Sequence, residues 1–98
     1  MKSVTPQEFA ALEGAALIDV REPDEVRAVR TEQGQPMPMS TLQDHLDELP
    51  EGPLYVICHS GGRSARVTAF LEQQGYDVTN VTGGIQEWEA AGLPVVRG

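Results

Sequence analysis

Cysteine is nearly absent from this chain: one in 98 residues, beside two histidines. A lone thiol closes no internal disulfide, and one Cys with two His offers no zinc-ligand pattern. No apolar run approaches a membrane-spanning length, and the opening "MKSVTPQEF" has no signal-peptide apolar core. Positive charge is scarce too, with seven Lys and Arg against fifteen Asp and Glu and a net charge of −8. Such a chain repels phosphate backbones and anionic headgroups, which argues against nucleic acid and membrane partners. Internal repeats and low-complexity tracts are missing. What remains is an ordinary globular composition, 40% apolar, and the expectation is a single domain over residues 1–98, located in the cytoplasm.

Helices and strands alternate along the chain. "TPQE" reads as a helix start, with Thr5 as N-cap, Pro6 at the first helical position and Glu8 completing a capping box. That helix is expected to reach about Leu12 and stop at Gly14. "ALIDV" (16–20) is a continuous apolar run of the kind found in buried parallel strands. "EPDEVRAV" (22–29) reads as a short helix with an acidic start. Residues 30–39, "RTEQGQPMPM", carry two prolines and a glycine and read as irregular chain or at most an edge strand, and Val29–Met39 is expected to be the least protected internal stretch. Ser40 then caps a predicted helix in which Leu42, Leu46 and Leu49 keep helical spacing. "LYVIC" (54–58) is a second buried strand. "SARVTAFLEQQG" (64–75) is a helix stopped by Gly75. "YDVTNV" (76–81) alternates like a strand, and "GGIQEWEAAGLPV" (83–95) opens with a helix ended by Gly92. The pattern predicts an α/β domain with a mostly parallel central sheet flanked by helices, whose ligands bind at the strands' carboxyl ends.

Both chemically interesting stretches fall at that end. Between Cys58 and Arg63 lie His59, Ser60, Gly61 and Gly62. Two glycines let the backbone curl into an anion-binding nest, and the helix beginning near Ser64 adds the positive end of its dipole. A thiol in that setting loses its proton easily, and Arg63 adds a permanent charge with a planar fork of donors. A cradled thiolate is a nucleophile suited to an anionic substrate. Cys58 could instead simply end a strand as a small hydrophobe; the glycines, the arginine and the helix start together outweigh that reading.

These residues also carry a likeness. "CHSGGRS" resembles the active-site loop of the rhodaneses, which has a cysteine, four residues and an arginine. "LIDVREPDE" resembles that family's first-strand motif, and "VTGGIQEWEAAGLPV" is similar to its C-terminal signature. The resemblance covers nearly the whole chain and implies a rhodanese-like fold. It further implies a sulfurtransferase that moves a sulfane sulfur from a donor such as thiosulfate, through a Cys58 persulfide, to cyanide or a thiol. Backbone N–H groups from His59 to Ser64 would hold the terminal sulfur, a protein thiol could be the acceptor, and no metal or organic cofactor is required. One stretch departs from the pattern. Where rhodaneses usually carry Gly-His-x-Pro-Gly-Ala, this chain has "VRTEQGQPMPM" (29–39).

Other readings stay beside this one. Cysteine phosphatases and arsenate reductases share the cradled thiolate but space Cys and Arg by five residues, giving a wider ring than the four seen here. A non-catalytic rhodanese-like binding module is the second alternative, although such modules often lack the cysteine. His59 adjoins the nucleophile, yet neighbouring residues leaving a strand point apart, so it lines the mouth and does not form a protease pair. Two readings of Asp19 stand: orienting Arg63 or a loop N–H, as the resemblance suggests, or capping its own turn. Arg21 and Glu22 read as ion-pair partners, with Arg21 a further loop support. Arg66 either adds positive potential at the mouth or faces solvent.

Overall fold

The two apolar runs become the centre of a parallel sheet because each is covered on both faces. The computed structural model describes all 98 residues. In chain order its elements are β1 (Lys2–Val4), α1 (Pro6–Ala10), β2 (Ala16–Asp19), α2 (Pro23–Ala28), β3 (Val29–Arg30), β4 (Gln35–Pro36), a 3₁₀ segment (Leu42–Glu48), β5 (Leu54–Ile57), α3 (Gly62–Gln73), β6 (Val78–Val81), α4 (Gly84–Ala90) and β7 (Val96–Arg97). Five strands form one sheet in the order β1-β6-β5-β2-β4, and every neighbouring pair is parallel. All five carboxyl ends therefore share one edge, with β5 at the middle.

Alternate residues of each strand feed opposite faces. Ile18, Leu54, Val56 and Val78 join Val67 and Leu71 of α3 and Leu42 of the 3₁₀ segment. Leu17, Ile57 and Val81 pack on Phe9 of α1 and on Ile85 and Trp88 of α4. Trp88 is buried, and its Nε1–H donates to the Pro94 carbonyl at 2.9 Å. No helix is long and apolar enough to cross a membrane.

The expected cap of α1 is present: the Glu8 N–H donates to Thr5 Oγ1 at 3.1 Å, and the Thr5 N–H donates to Glu8 Oε1 at 2.8 Å. Three features differ from expectation. Strand β1 escaped the sequence reading because its residues are mostly exposed and polar. The middle helix is a 3₁₀ segment with non-helical backbone at His45, and Ser40 does not cap it. Thr41, Asp44, His45 and Asp47 are weak helix formers, and two short turns between Pro38 and Pro50 suffice to bring Leu42, Leu46 and Leu49 against the core. The Ser40 hydroxyl instead donates to Glu22 Oε1 at 2.8 Å.

The atypical stretch 29–39 is tied in at several points. Residues 29–30 pair antiparallel with β7, and β4 adds the edge strand beside β2. The Met37 and Met39 N–H groups donate to the Asp19 and Val20 carbonyls at 2.8 and 3.0 Å. Thr31 and Met37 are buried. Despite its prolines, this stretch contributes to the core beside β2, with β4 as a two-residue strand at the sheet edge.

Candidate active site

Strand β5 ends at Ile57 and hands the chain to Cys58 at the carboxyl edge of the sheet. The thiol is 1% exposed. From it the backbone curls through Gly61, whose φ of +109° is closed to ordinary L-residues, and enters α3 at Gly62. Only the first of the two adjacent glycines needs its freedom; Gly62 has no positive φ. Arg63 and Ser64 thus lie in the first turn of a twelve-residue helix, where N–H groups have no partner within the helix.

Those donors turn toward sulfur. The Gly61 N–H donates to Cys58 Sγ at 3.0 Å. The thiol donates to Ser64 Oγ at 3.4 Å, while the Ser64 hydroxyl donates to the Gly61 carbonyl at 3.1 Å. Burial pushes the Cys58 thiol up. Once the sulfur is ionised the Ser64 hydroxyl is able to turn and donate to it, and with the N–H groups of Ser64, Gly61 and Ser60 it outweighs burial and brings the thiol below its usual range. These donors all favour the ionised form of the sulfur. His59 and Ser60 are exposed at its rim, Gly61 is half-buried and Gly62 exposed.

A second glycine pair supports the loop from below. Gly83 and Gly84, between β6 and α4, both have positive φ. The Ile85 N–H donates to the Cys58 carbonyl at 2.8 Å, and the Gln86 N–H donates to the His59 carbonyl at 3.0 Å. A Cβ on Gly61 would come within 3.2 Å of the Gly83 nitrogen. The sequence marks "TGG" as part of a signature; its contact with the cysteine loop is visible only in three dimensions.

Asp19 and Arg21 do not touch the loop through their side chains. They form a buried pair with each other, Arg21 Nη2 donating to Asp19 Oδ2 at 2.8 Å. Arg21 also donates to the Glu25 and Val29 carbonyls at 3.3 and 2.6 Å, so it ties down the last turn of α2. The partner of Arg63 is Glu25, not Asp19: Nη1 donates to Oε1 at 2.6 Å and Nη2 to Oε2 at 2.8 Å. The Arg63 contact is the chief reason the Glu25 carboxyl falls to about 2. Sequence reasoning missed Glu25. An acidic residue in the first turn of a short helix suggests only a helix cap, and Arg63 lies 38 positions away.

No group of three or more His, Cys, Asp or Glu side chains is placed to hold a metal ion. An apolar groove of about 180 Å³, lined by Met39, Leu42, Val67 and Phe70 with Gln43 and Arg66, runs along the α3 face and includes no loop residue. His45 faces its helical neighbour Glu48 in solvent.

With this geometry in view, the likenesses to known proteins are close. A family model described as a rhodanese-like domain matches residues 5–91. A sulfurtransferase of Allochromatium vinosum is 38% identical over 92 residues, spanning 92% of this chain and 86% of that protein. The thiosulfate sulfurtransferase GlpE of Actinobacillus succinogenes is 32% identical over 97 residues, spanning 94% and 87%. Among solved structures, a rhodanese-related protein from Thermoplasma volcanium superposes with a TM-score of 0.91 at 33% identity, covering 98% of both chains. A rhodanese-like domain protein from Staphylococcus aureus gives 0.84 at 32% identity, covering 90% of this chain and 91% of that one.

Proposed function

The chain belongs to the rhodanese-like family, and from that premise we propose that it is a cytoplasmic sulfurtransferase working through a persulfide on Cys58. The single observation that supports this most is the Gly61 N–H held 3.0 Å from a buried Cys58 Sγ at the start of α3. A dipolar cradle of that size suits one anionic sulfur atom.

In the first half-reaction the Cys58 thiolate attacks the outer sulfur of a donor such as thiosulfate. A new S–S bond forms, the old one breaks, and its electron pair leaves on sulfite. The terminal sulfur then sits among the backbone N–H groups of the stretch His59 to Ser64, where its negative charge replaces that of the thiolate. In the second half-reaction cyanide or a thiol, on a small molecule or a protein, attacks the terminal sulfur, and Cys58 leaves as thiolate. One covalent intermediate links two separate steps. Asp19 and Arg21 support the loop from a distance, by fixing α2 and with it Glu25.

Steady-state kinetics test the reading. Varying thiosulfate at several fixed cyanide concentrations should give parallel double-reciprocal lines, and Cys58→Ser should abolish turnover. Intersecting lines, or activity surviving in Cys58→Ser, would rule out the covalent route. A folded parent protein with no turnover of any sulfane donor would favour the binding-module alternative.

A further inference from the structure

The loop's arginine already has one edge of its guanidinium taken by a carboxylate. Both terminal nitrogens of Arg63 are engaged by the Glu25 carboxylate, at 2.6 and 2.8 Å. The two side chains are 28% and 31% exposed, so the pair sits at the protein surface beside the loop. Glu25 is anchored from its other side by the Glu22 N–H at 3.1 Å. It stays ionised wherever a thiolate can exist. The Glu22 carboxylate is near enough for the Arg63 guanidinium to feel its charge. Glu87 lays its side chain over Gly83, whose nitrogen abuts Gly61. Arg66, exposed on the next turn of α3, is the one further arginine there, in a chain of net charge −8.

Backbone N–H groups can therefore stabilise a single sulfur anion, but the paired-nitrogen edge that would grip two oxygens of an inorganic dianion is already taken by Glu25. Resting on the sulfurtransferase reading, we propose that Glu25 determines donor specificity: by occupying both arms of Arg63 it favours a low-charge organic persulfide, R–S–SH, over dianionic thiosulfate. The Cys58 thiolate attacks the outer sulfur of R–S–SH and a new S–S bond forms. The old bond breaks with its electron pair on the R-bound sulfur, and the proton of the outer sulfur passes to that leaving group. The products are the Cys58 persulfide anion and R–SH, with no net oxidation. Thiosulfate loads the same cysteine against the repulsion of the surrounding carboxylates.

The test is single-turnover loading of Cys58, quenched and read by intact mass, with cysteine persulfide and with thiosulfate at low and high ionic strength. Cysteine persulfide is expected to load faster at equal concentration. Thiosulfate loading should speed up with added salt, because screening weakens a repulsive field. Glu25→Gln should raise the thiosulfate-to-persulfide rate ratio roughly sevenfold, the effect of removing one charge about 7 Å from a dianion in water. Glu25→Asp keeps the charge but is one methylene short of holding both Arg63 nitrogens, so it should raise the ratio too, by less than Glu25→Gln. Faster loading by thiosulfate, slowing with salt, or an unchanged ratio in Glu25→Gln would each overturn the proposal. Loading by neither donor would overturn the sulfurtransferase reading itself, a result distinct from the wrong donor order.

Discussion

Gly84 sits so close to Cys58 that a methyl group on it would lie 2.3 Å from the Cys58 carbonyl oxygen. The same carbonyl accepts the Ile85 N–H at 2.8 Å. The curvature of the cysteine loop is thus partly imposed by the turn between β6 and α4. Gly84→Ala meets a backbone obstacle and a φ of +58° together, so the loop must move. Sulfur transfer should fall on the order of 10²-fold, as expected for a reacting atom displaced by about 1 Å, and Cys58 alkylation should slow with it. Parent-like rates for both in Gly84→Ala would show that the turn is only a neighbour.

Gly61 and Gly62 stand side by side but do different jobs. Gly61 needs its φ of +109°, whereas a Cβ on Gly62 meets nothing within 4 Å at the first position of α3. Gly61→Ala should cost about 1–3 kcal/mol through backbone strain. Gly62→Ala should be neutral or stabilising by up to ~1 kcal/mol, since it restricts only the unfolded chain. Urea unfolding of the two variants checks this, and equal losses would contradict it.

Much of this was readable from local sequence, and the limits are physical. Cys58 to Arg63 is one continuous loop, so its motif and its chemistry could be read together. The cores of β2 and β5 announce themselves because both faces are covered and nearly every residue is apolar. Strand β1 gives no such signal: "KSV" lies at the sheet edge with its side chains largely in solvent. The Glu25–Arg63 and Gly84–Cys58 contacts join stretches far apart in sequence, and no local periodicity encodes them. The leucine spacing in residues 42–49 correctly named the inward-facing residues. It could not tell an α-helix from two 3₁₀ turns, since both seat Leu42 and Leu46 on the same core.

The Asp19–Arg21 pair is buried, with side chains 2% and 1% exposed. Removing one partner leaves the other charge without compensation. Asp19→Ala or Arg21→Ala should each destabilise the fold by about 3–5 kcal/mol. The double variant should lose less than the sum of the two. Thermal or chemical unfolding of all three provides the cycle; simple additivity would show that the two side chains do not act as a unit.

Hydrogen bonds to Cys58 make it more acidic than the ordinary thiol value of 9.0. The sign for stability follows: the ionised thiol contributes fully above that ordinary value, and the contribution is lost as pH falls through the depressed one. Alkylation of Cys58 against pH should therefore inflect below the midpoint for a free thiol. Ser64→Ala removes the leading favourable hydrogen bond and should move the inflection upward. A profile unchanged by Ser64→Ala would assign the acidity to the backbone N–H groups alone.

The most direct test of the central claim is to isolate the loaded protein. Incubation with a sulfane donor labelled in its outer sulfur, removal of the excess, and mass spectrometry of the intact chain and of the Cys58 peptide locate that atom. One labelled sulfur should be found on Cys58, and cyanide should release it as one equivalent of labelled thiocyanate. Label absent from Cys58, or retained after cyanide, would contradict sulfur transfer through this thiol.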